Sequence, residues 1–275
     1  MLKKDEYDLL VVEDEPVVLS AIRKIVELER LRMDEALNGD IALSKLKRQT
    51  YKLIVTDLML PRMSGLDLIQ AIKKIHPCIP LIVITGYATL EKAIQSFKMG
   101  SFDFVPKPFD TETFLAVIYR GLKYSRVMKT RGPEEHAFLP IEGPNGVDTG
   151  ADIVYCLGFH SQAKLLGDGT ALVRAGETFS NMMDHLSRLE IVVSDKEIVQ
   201  GKCCAQFVTE EGLINMFWAP LSGKIEAYNG ELEKNIQLIN ADPYDKGWIF
   251  RIKPSNLKEE LKHLRRCKRG SIVGS

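Results

Sequence analysis

The stretch YKLIVTDLML, Tyr51–Leu60, places an apolar run directly before the acidic side chain of Asp57. A short run of β-branched and apolar residues is typical of a strand that is buried on both faces of a sheet. Amphipathic helix patterns separate this run from others in the first half of the chain. The repeating strand–helix order predicts a parallel sheet with helices on both faces. The other runs are YDLLVV (Tyr7–Val12), PLIVIT (Pro80–Thr85), FDFV (Phe102–Val105) and a weaker MDEAL (Met33–Leu37).

The composition limits the class of protein. The chain has 275 residues with 37 Lys+Arg and 37 Asp+Glu, so no excess of positive charge suggests a nucleic-acid-binding surface. The length predicts two packed domains, and no apolar run reaches the roughly 20 residues that a membrane span needs. The five cysteines lack C-x-x-C spacing and indicate free thiols in a reducing cytoplasm.

Polar side chains follow the predicted strands at the points where the strands end. Taken alone, each one could be a helix-terminal or solvated charge, but their shared position favours a site. Three carboxylates at one sheet edge favour Mg²⁺ between them, and a hydroxyl and an ammonium would stabilise an acyl phosphate. The residues are Glu13 and Asp14 after the first strand, Asp57 after the third, Thr85 at the end of the fourth and Lys107 after the fifth.

The motifs LLVVEDEP, VTDLMLPRMSGLDL, VITGYATLEKA and FDFVPKPF resemble the receiver domain of two-component response regulators. The resemblance covers roughly residues 5–124 and implies a flavodoxin-like, doubly wound α/β fold with a five-stranded parallel sheet. It implies that Asp57 accepts a phosphoryl group whose oxygens contact Thr85 and Lys107. The Phe104 rotamer would follow Thr85 as a switch. The implied Mg²⁺ ligands are Glu13, Asp14, Asp57 and the backbone carbonyl of Met59.

The resemblance also implies partners. A sensor histidine kinase or a phosphotransfer protein would donate the phosphoryl group. Phosphorylation would bias the face formed by the fourth helix, the fifth strand and the fifth helix, roughly residues 87–124. We expect this face to be an output or homodimer surface.

The chain changes character after a first domain of residues 1–124. Residues 125–152 are rich in Gly and Pro and predict a linker, which contains His136. Residues 153–265 show short strands and predict a small β sandwich or barrel. Residues 266–275 predict a basic tail, for which a solvated end is the simpler interpretation and an anionic partner is the alternative.

Within residues 153–265, short helices are predicted near Glu177–Leu186 and Asn256–Arg265. His160 and His185 lack a second ligand at metal-binding spacing, so a structural role is favoured for both. Trp218 and Trp248 are predicted to anchor the core.

Three stretches, GDGTALVRAGETFSNMMDHLSRLEIV, WAPLSGKIEAYN and INADPYDKGWIFRIKPSN, resemble the H protein of the glycine cleavage system over roughly residues 155–264. The resemblance implies a barrel-sandwich hybrid fold and a hairpin that bears lipoate on a lysine at its tip. Counting back eight residues from Pro220, as in that family, places Gly212 at the lysine position. Glycine offers no amine, so we expect no lipoate and a tip turn with positive φ at Gly212.

The sequence therefore predicts a cytoplasmic, non-enzymatic response regulator whose unlipoylated second domain contacts an unknown downstream protein. No nucleic acid or membrane is expected as a partner. Two alternatives stay open because fold does not imply function. One is a regulated carrier with lipoate on an atypical lysine, and the other is a scaffold or decoy that engages lipoyl-processing enzymes through the hairpin's shape.

Overall fold

The computed structural model describes residues 6–86, 89–130, 150 and 153–268. The chain divides into two compact units, residues 1–89 with 99–132 and residues 90–98 with 133–275. Most of the predicted linker, including His136, and the tail from residue 269 lie outside the described residues. Among the helices that the structure describes, none is long and apolar enough to cross a bilayer.

The first half of the chain forms a five-stranded parallel sheet in the order β2-β1-β3-β4-β5. This order confirms the predicted doubly wound α/β fold. The elements are β1 (Glu6–Val12), α1 (Pro16–Leu28), β2 (Met33–Ala36), α2 (Gly39–Arg48), β3 (Thr50–Asp57), α3 (Gly65–Ile75), β4 (Leu81–Thr85), α4 (Leu90–Lys98), β5 (Asp103–Pro106) and α5 (Thr111–Thr130).

Local sequence explains where these elements begin. The apolar residues of β3 and β4 are almost completely buried, as expected for central strands of a parallel sheet. The Asn38 side chain caps α2 by accepting a hydrogen bond from the Ile41 N–H. The Ser64 side chain caps α3 by accepting a hydrogen bond from the Asp67 N–H. Pro16 begins α1, where proline is favoured because the first N–H groups of a helix have no partner within the helix.

Helix α5 continues to Thr130, beyond the predicted domain boundary at residue 124. Tyr124 is buried, and its ring lies 5.0 Å from the Phe102 ring, centroid to centroid, so the helix still packs on the first unit at this point. After Gly121, which lies inside the helix, the next glycine or proline is Gly132. Residues 125–130 are therefore helical.

An ion pair is buried between β5 and α5. The Arg120 guanidinium donates to the Asp103 carboxylate, and both side chains are only 2% exposed. Asp103 also accepts a hydrogen bond from the Phe104 N–H at 2.7 Å. Burial lowers the pKa of Arg120, and the adjacent Asp103 opposes this shift. The pair fixes α5 against β5, because either charge alone would be buried without compensation.

The second half of the chain is mainly β, as predicted. It contains a seven-stranded sheet, in the order β10-β13-β14-β8-β7-β6-β15, and a three-stranded sheet, in the order β12-β11-β9. The elements are β6 (Ile153–Leu157), β7 (Ser161–Leu165), β8 (Ala171–Ala175), α6 (Glu177–Asn181), β9 (Leu186–Ile191), β10 (Glu197–Ile198), β11 (Cys203–Thr209), β12 (Ile214–Trp218), β13 (Gly223–Tyr228), α7 (Glu231–Lys234), α8 (Leu238–Ala241), β14 (Trp248–Pro254), α9 (Leu257–Glu260), a 3₁₀ turn (Leu261–His263) and β15 (Arg265–Lys268).

Aromatic side chains form the centre of this β region. Phe179, Phe207 and Phe217 are buried and pack on one another. The buried His160 ring lies 3.9 Å from the Phe179 ring, centroid to centroid, which supports a structural role for this histidine. Trp218 is buried as predicted for a core anchor, whereas Trp248 is only half-buried.

Both predicted short helices are present but shorter than predicted, and the second one consists of α9 and the 3₁₀ turn that ends at His263. Helix α6 ends at Asn181, and the following strand already begins at Leu186. Residues Arg265–Lys268 form a strand that pairs with β6, so part of the predicted basic tail belongs to the sheet. Cys267 explains this pairing, because its side chain is buried in a small cluster with Val154 and Cys156.

Gly65 begins α3 and leaves no room for a side chain. A Cβ at this position lies 2.2 Å from the Asp57 carbonyl oxygen and 2.5 Å from the Leu58 Cα. We expect Gly65→Ala to displace the β3–α3 loop and to lower the free energy of unfolding by about 1–3 kcal/mol. Urea denaturation of the full chain measures this loss. Gly86→Ala is the control, because a Cβ at Gly86 meets no atom within 4 Å, and equal losses in both variants would contradict the prediction.

Candidate functional site

Three carboxylates and one ammonium group meet at the carboxyl edge of the parallel sheet. The Lys107 Nζ lies 2.7 Å from the Glu13 Oε2, 2.7 Å from the Asp57 Oδ2 and 3.2 Å from the Glu15 Oε1. Glu13 and Asp57 are buried, whereas Glu15 is exposed. We call these four residues the acidic–lysine cluster.

The strand order brings this cluster together. Glu13 directly follows β1, Asp57 ends the neighbouring β3, and Lys107 directly follows β5. Backbone groups then orient the carboxylates. The Met59 N–H donates to the Asp57 Oδ1 at 3.0 Å, and the Glu15 N–H donates to the Glu13 Oε1 at 3.2 Å.

Burial and ion pairing set the charges of the cluster. Burial raises the pKa of Glu13, and the hydrogen bond from Lys107 opposes this shift. Burial alone would lower the pKa of Lys107, but its hydrogen bonds to Asp57 and Glu13 raise it above the ordinary value. The lysine therefore stays an ammonium at neutral pH, as two buried carboxylates require.

The predicted phosphoryl-contacting and switch residues lie on the neighbouring strands. Thr85 ends β4 with its side chain fully buried, and its carbonyl oxygen accepts a hydrogen bond from the Lys107 N–H at 2.9 Å. Phe104 is buried on β5, where it pairs with Val83 of β4. The backbone thus links Thr85 directly to Lys107.

The carboxylates of the cluster suit a hard cation. Glu13, Glu15 and Asp57 each offer an oxygen, and these oxygens lie within 4.8 Å of one another. Asp14 is exposed and is not a member of this group. Met59 is oriented by its N–H bond to Asp57, while its side chain is exposed. The predicted ligand set, Glu13, Asp14, Asp57 and the Met59 carbonyl, stays a prediction.

Sequence reasoning did not single out two features of this region. The first is Glu15, which is the third acidic residue in the run EDE before Pro16. The second is the buried pair of Asp103 and Arg120, next to the switch position Phe104. In the sequence, the pair is indicated only by an aspartate within the apolar strand pattern FDFV, because a buried aspartate needs a counter-charge.

The tip of the β11–β12 hairpin is the second candidate site. Gly212 has a φ of +84°, which confirms the predicted positive φ, and its N–H donates to the Thr209 carbonyl at 3.0 Å. A Cβ at Gly212 would meet no atom within 4 Å, so the apex is open. A backbone hydrogen bond and the Thr209 hydroxyl lower the pKa of Glu211. The Glu210 N–H donates to the carbonyl of His185 at 2.8 Å, which holds the anionic tip against the start of β9.

Removing Lys107 should make the cluster depend on added cation. In Lys107→Ala, Glu13 and Asp57 remain buried without a counter-charge, and we expect the free energy of unfolding to fall by about 3–5 kcal/mol. Millimolar Mg²⁺ should restore part of this loss, and it should stabilise the variant more than the wild type. Thermal unfolding with and without Mg²⁺ measures both effects.

The matched control is Lys129→Ala, which removes an exposed ion pair with Glu6. This variant should lose no more than about 1 kcal/mol. An equal response of Lys107→Ala and Lys129→Ala to Mg²⁺ would contradict the role assigned to the cluster.

Comparisons with known proteins match each half of the chain to a different family. Residues 9–119 match the response regulator receiver domain, and residues 159–270 match the glycine cleavage H-protein. The nitrogen assimilation regulatory protein NtrX of Azorhizobium caulinodans is 32% identical over 125 residues, which are 45% of this chain and 28% of NtrX. The response regulator protein PilR of Pseudomonas aeruginosa is 37% identical over 134 residues, which are 47% of this chain and 29% of PilR.

Among solved structures, the receiver domain of NtrX from Brucella abortus is 32% identical with a TM-score of 0.41, over 42% of this chain and 98% of that domain. The chain covers less than a third of the length of the curated relatives NtrX and PilR. The likeness to these relatives extends over less than half of this chain, and the second family match lies in the other half. The chain therefore joins a segment that matches the response regulator receiver domain to a segment that matches the glycine cleavage H-protein family.

Proposed function

We propose that this chain is a phosphorylation-dependent response regulator of a two-component system, with Asp57 as the phosphoacceptor. The observation that carries the proposal is the buried Asp57 carboxylate, held 2.7 Å from the Lys107 ammonium inside a segment that matches the receiver domain. A sensor histidine kinase or a phosphotransfer protein would be the donor. This chain covers only the receiver-like part of NtrX and PilR, so the downstream output of those proteins is not part of the proposal.

The proposed chemistry is a transfer between two side chains. An Asp57 carboxylate oxygen attacks the phosphorus of a phosphohistidine on the donor, a P–O bond forms, and the P–N bond breaks as the imidazole leaves. Lys107 provides positive charge next to the attacked phosphoryl group, and the Thr85 hydroxyl is proposed to donate to one of its oxygens. Burial of Asp57 excludes bulk water and strengthens these contacts.

A divalent cation is part of the proposal, since the carboxylates of Glu13, Glu15 and Asp57 lie close enough to share one. We propose Mg²⁺ held by Glu13, Asp14, Asp57 and the Met59 carbonyl, with Glu15 as an additional ligand. When bound, the ion would neutralise charge on the phosphoryl oxygens. Glu13 is fully buried, so its charge requires either this cation or Lys107 beside it.

Phosphorylation would redistribute the contacts of the cluster. The phosphoryl group replaces one negative charge with a dianion that has three acceptor oxygens, and Lys107 would leave Glu13 and Glu15 for them. The Thr85 hydroxyl would move toward the same oxygens, while the bond between the Lys107 N–H and the Thr85 carbonyl keeps the two residues adjacent. A changed Thr85 position would alter the space for Phe104 and bias receiver pairing or the output of the second domain.

The second domain is proposed to act as an output or interaction domain without lipoate. Gly212 supports this proposal, because the hairpin apex bears no amine and its positive φ suits glycine. The acidic side chains of Glu210 and Glu211 would instead present negative charge at the apex. An unidentified downstream protein would be the partner.

Phosphorylation should depend on Asp57 alone. We expect acetyl phosphate with Mg²⁺ to add one phosphoryl group to the full-length wild type and none to Asp57→Asn, as measured by intact mass. Asp40→Asn is the control, because Asp40 is an exposed aspartate at the start of α2, and it should be phosphorylated normally. Equal phosphorylation of all three proteins would contradict the assignment of Asp57 as the phosphoacceptor.

A lipoyl carrier is the second candidate function, and the H-protein match over residues 159–270 favours it. Co-expression with a lipoate ligase discriminates between the two functions. We expect the intact mass of the wild type to show no lipoyl adduct, because no lysine lies at the apex. A true H protein expressed in parallel is the positive control, and Gly212→Lys tests whether the missing amine is the cause. A lipoyl adduct on the wild type would overturn the assignment of an unlipoylated domain.

A further inference from the structure

We propose that the outer edge of strand β9 pairs with the same strand of a second copy of this chain, in an antiparallel, two-fold symmetric dimer. All the residues that carry this inference lie between Leu186 and Ile249. Pairing through β9 would not require phosphorylation of Asp57.

Strand β9 ends the three-stranded sheet, and in the part of the chain that the structure describes no strand pairs with its outer edge. The Val192 N–H donates to the Cys204 carbonyl of the neighbouring segment at 3.2 Å. Because backbone groups alternate in direction along an antiparallel strand, the groups of Leu189 and Ile191 point to the outer edge. Exposed N–H and C=O groups of this kind are a template for another strand.

Charge complementarity selects the second copy as the occupant of this edge. An antiparallel pair centred on Leu189 places Arg188 opposite the second copy's Glu190, and Glu190 opposite its Arg188. Both side chains are exposed, at 59% and 43%, and bond to each other within one chain at 2.6 Å. Moving the centre to either neighbour would place like charges opposite each other. The register on Leu189 also uses the outward backbone groups.

The composition of β9 does not block such pairing. Natural edge strands are protected by charged side chains, above all lysine, or by proline. The sequence LSRLEI of β9 contains neither lysine nor proline, and its two charges, Arg188 and Glu190, have opposite signs and can pair across a symmetric interface. The Gln237 amide donates to the Leu186 carbonyl at 3.1 Å and covers only the first residue of the strand. In the described residues, no hydrogen bond reaches the outward backbone groups of Leu189 and Ile191.

A groove of about 740 Å³ runs along the same edge. Its walls include the apolar side chains of Leu189, Ile191 and Leu232. Tyr228 also lines the groove and is 43% exposed, and Val192, which follows Ile191, is 45% exposed. Such contiguous apolar surface next to unpaired backbone groups is typical of an interface. The two-fold axis places the second copy's Ile191 beside Ser187, at the mouth of this groove.

A charge-swap experiment tests the dimer in the full chain on an Asp57→Asn background, which removes phosphorylation as a cause of pairing. Arg188→Glu and Glu190→Arg each place like charges opposite in both symmetric pairs. We expect each single variant to dimerise at least about tenfold more weakly than the parent protein in sedimentation equilibrium. Lys258→Glu is the control for Arg188→Glu, because it makes the same charge change at an exposed position on α9 and should dimerise like the parent.

Mixing the two weak variants is the decisive step. Arg188→Glu and Glu190→Arg chains have opposite charges at both positions, so a one-to-one mixture should form heterodimers with parent-like affinity in native mass spectrometry. The pair within one chain cannot explain such a rescue, since each variant has like charges on its own strand. A monomeric parent would overturn the proposal in favour of a different partner strand. Single variants that dimerise like the parent, or a mixture without preference for heterodimers, would overturn it as well.

Discussion

The Lys107 ammonium compensates two carboxylates, Glu13 and Asp57, that the parallel sheet buries at one edge. Strands β1 and β3 are neighbours, so their terminal carboxylates must lie close together, and low-dielectric surroundings make both charges unfavourable when uncompensated. The lysine arrives from β5, on the far side of β4, and so ties three strand ends into one unit. The stability of this edge and its proposed chemistry therefore rest on the same contacts.

Much of this edge could be predicted from sequence, because buried parallel strands are visible as apolar runs and their ends share one side of the sheet. The contact between Glu15 and Lys107 could not be predicted. It depends on the direction of the short loop before Pro16, where the Glu15 N–H bonds to Glu13 and turns the Glu15 side chain toward Lys107. The spacing of residues in the sequence does not determine the conformation of this loop.

The β region shows a different limit. Short strands predicted its class, but their partition into sheets of seven and three depends on contacts between distant residues. Strand β15 illustrates this: its basic residues predict a solvated end, yet pairing with β6 buries Cys267 against Cys156. The hairpin tip was predictable to a single residue, since the resemblance to the H protein places Gly212 at the tip and turn chemistry favours a positive φ for glycine there.

The buried pair of Asp103 and Arg120 has a consequence for how this domain can change over evolutionary time. Losing one partner leaves the other charge buried without a counter-charge, which lowers the free energy of unfolding by about 3–5 kcal/mol. This is a large share of the roughly 5–15 kcal/mol that stabilises a domain. Two codons that are 17 positions apart are therefore constrained to vary together. Lineages that replace one charge are expected to have replaced both, through a short-lived and poorly folded intermediate or a simultaneous double change.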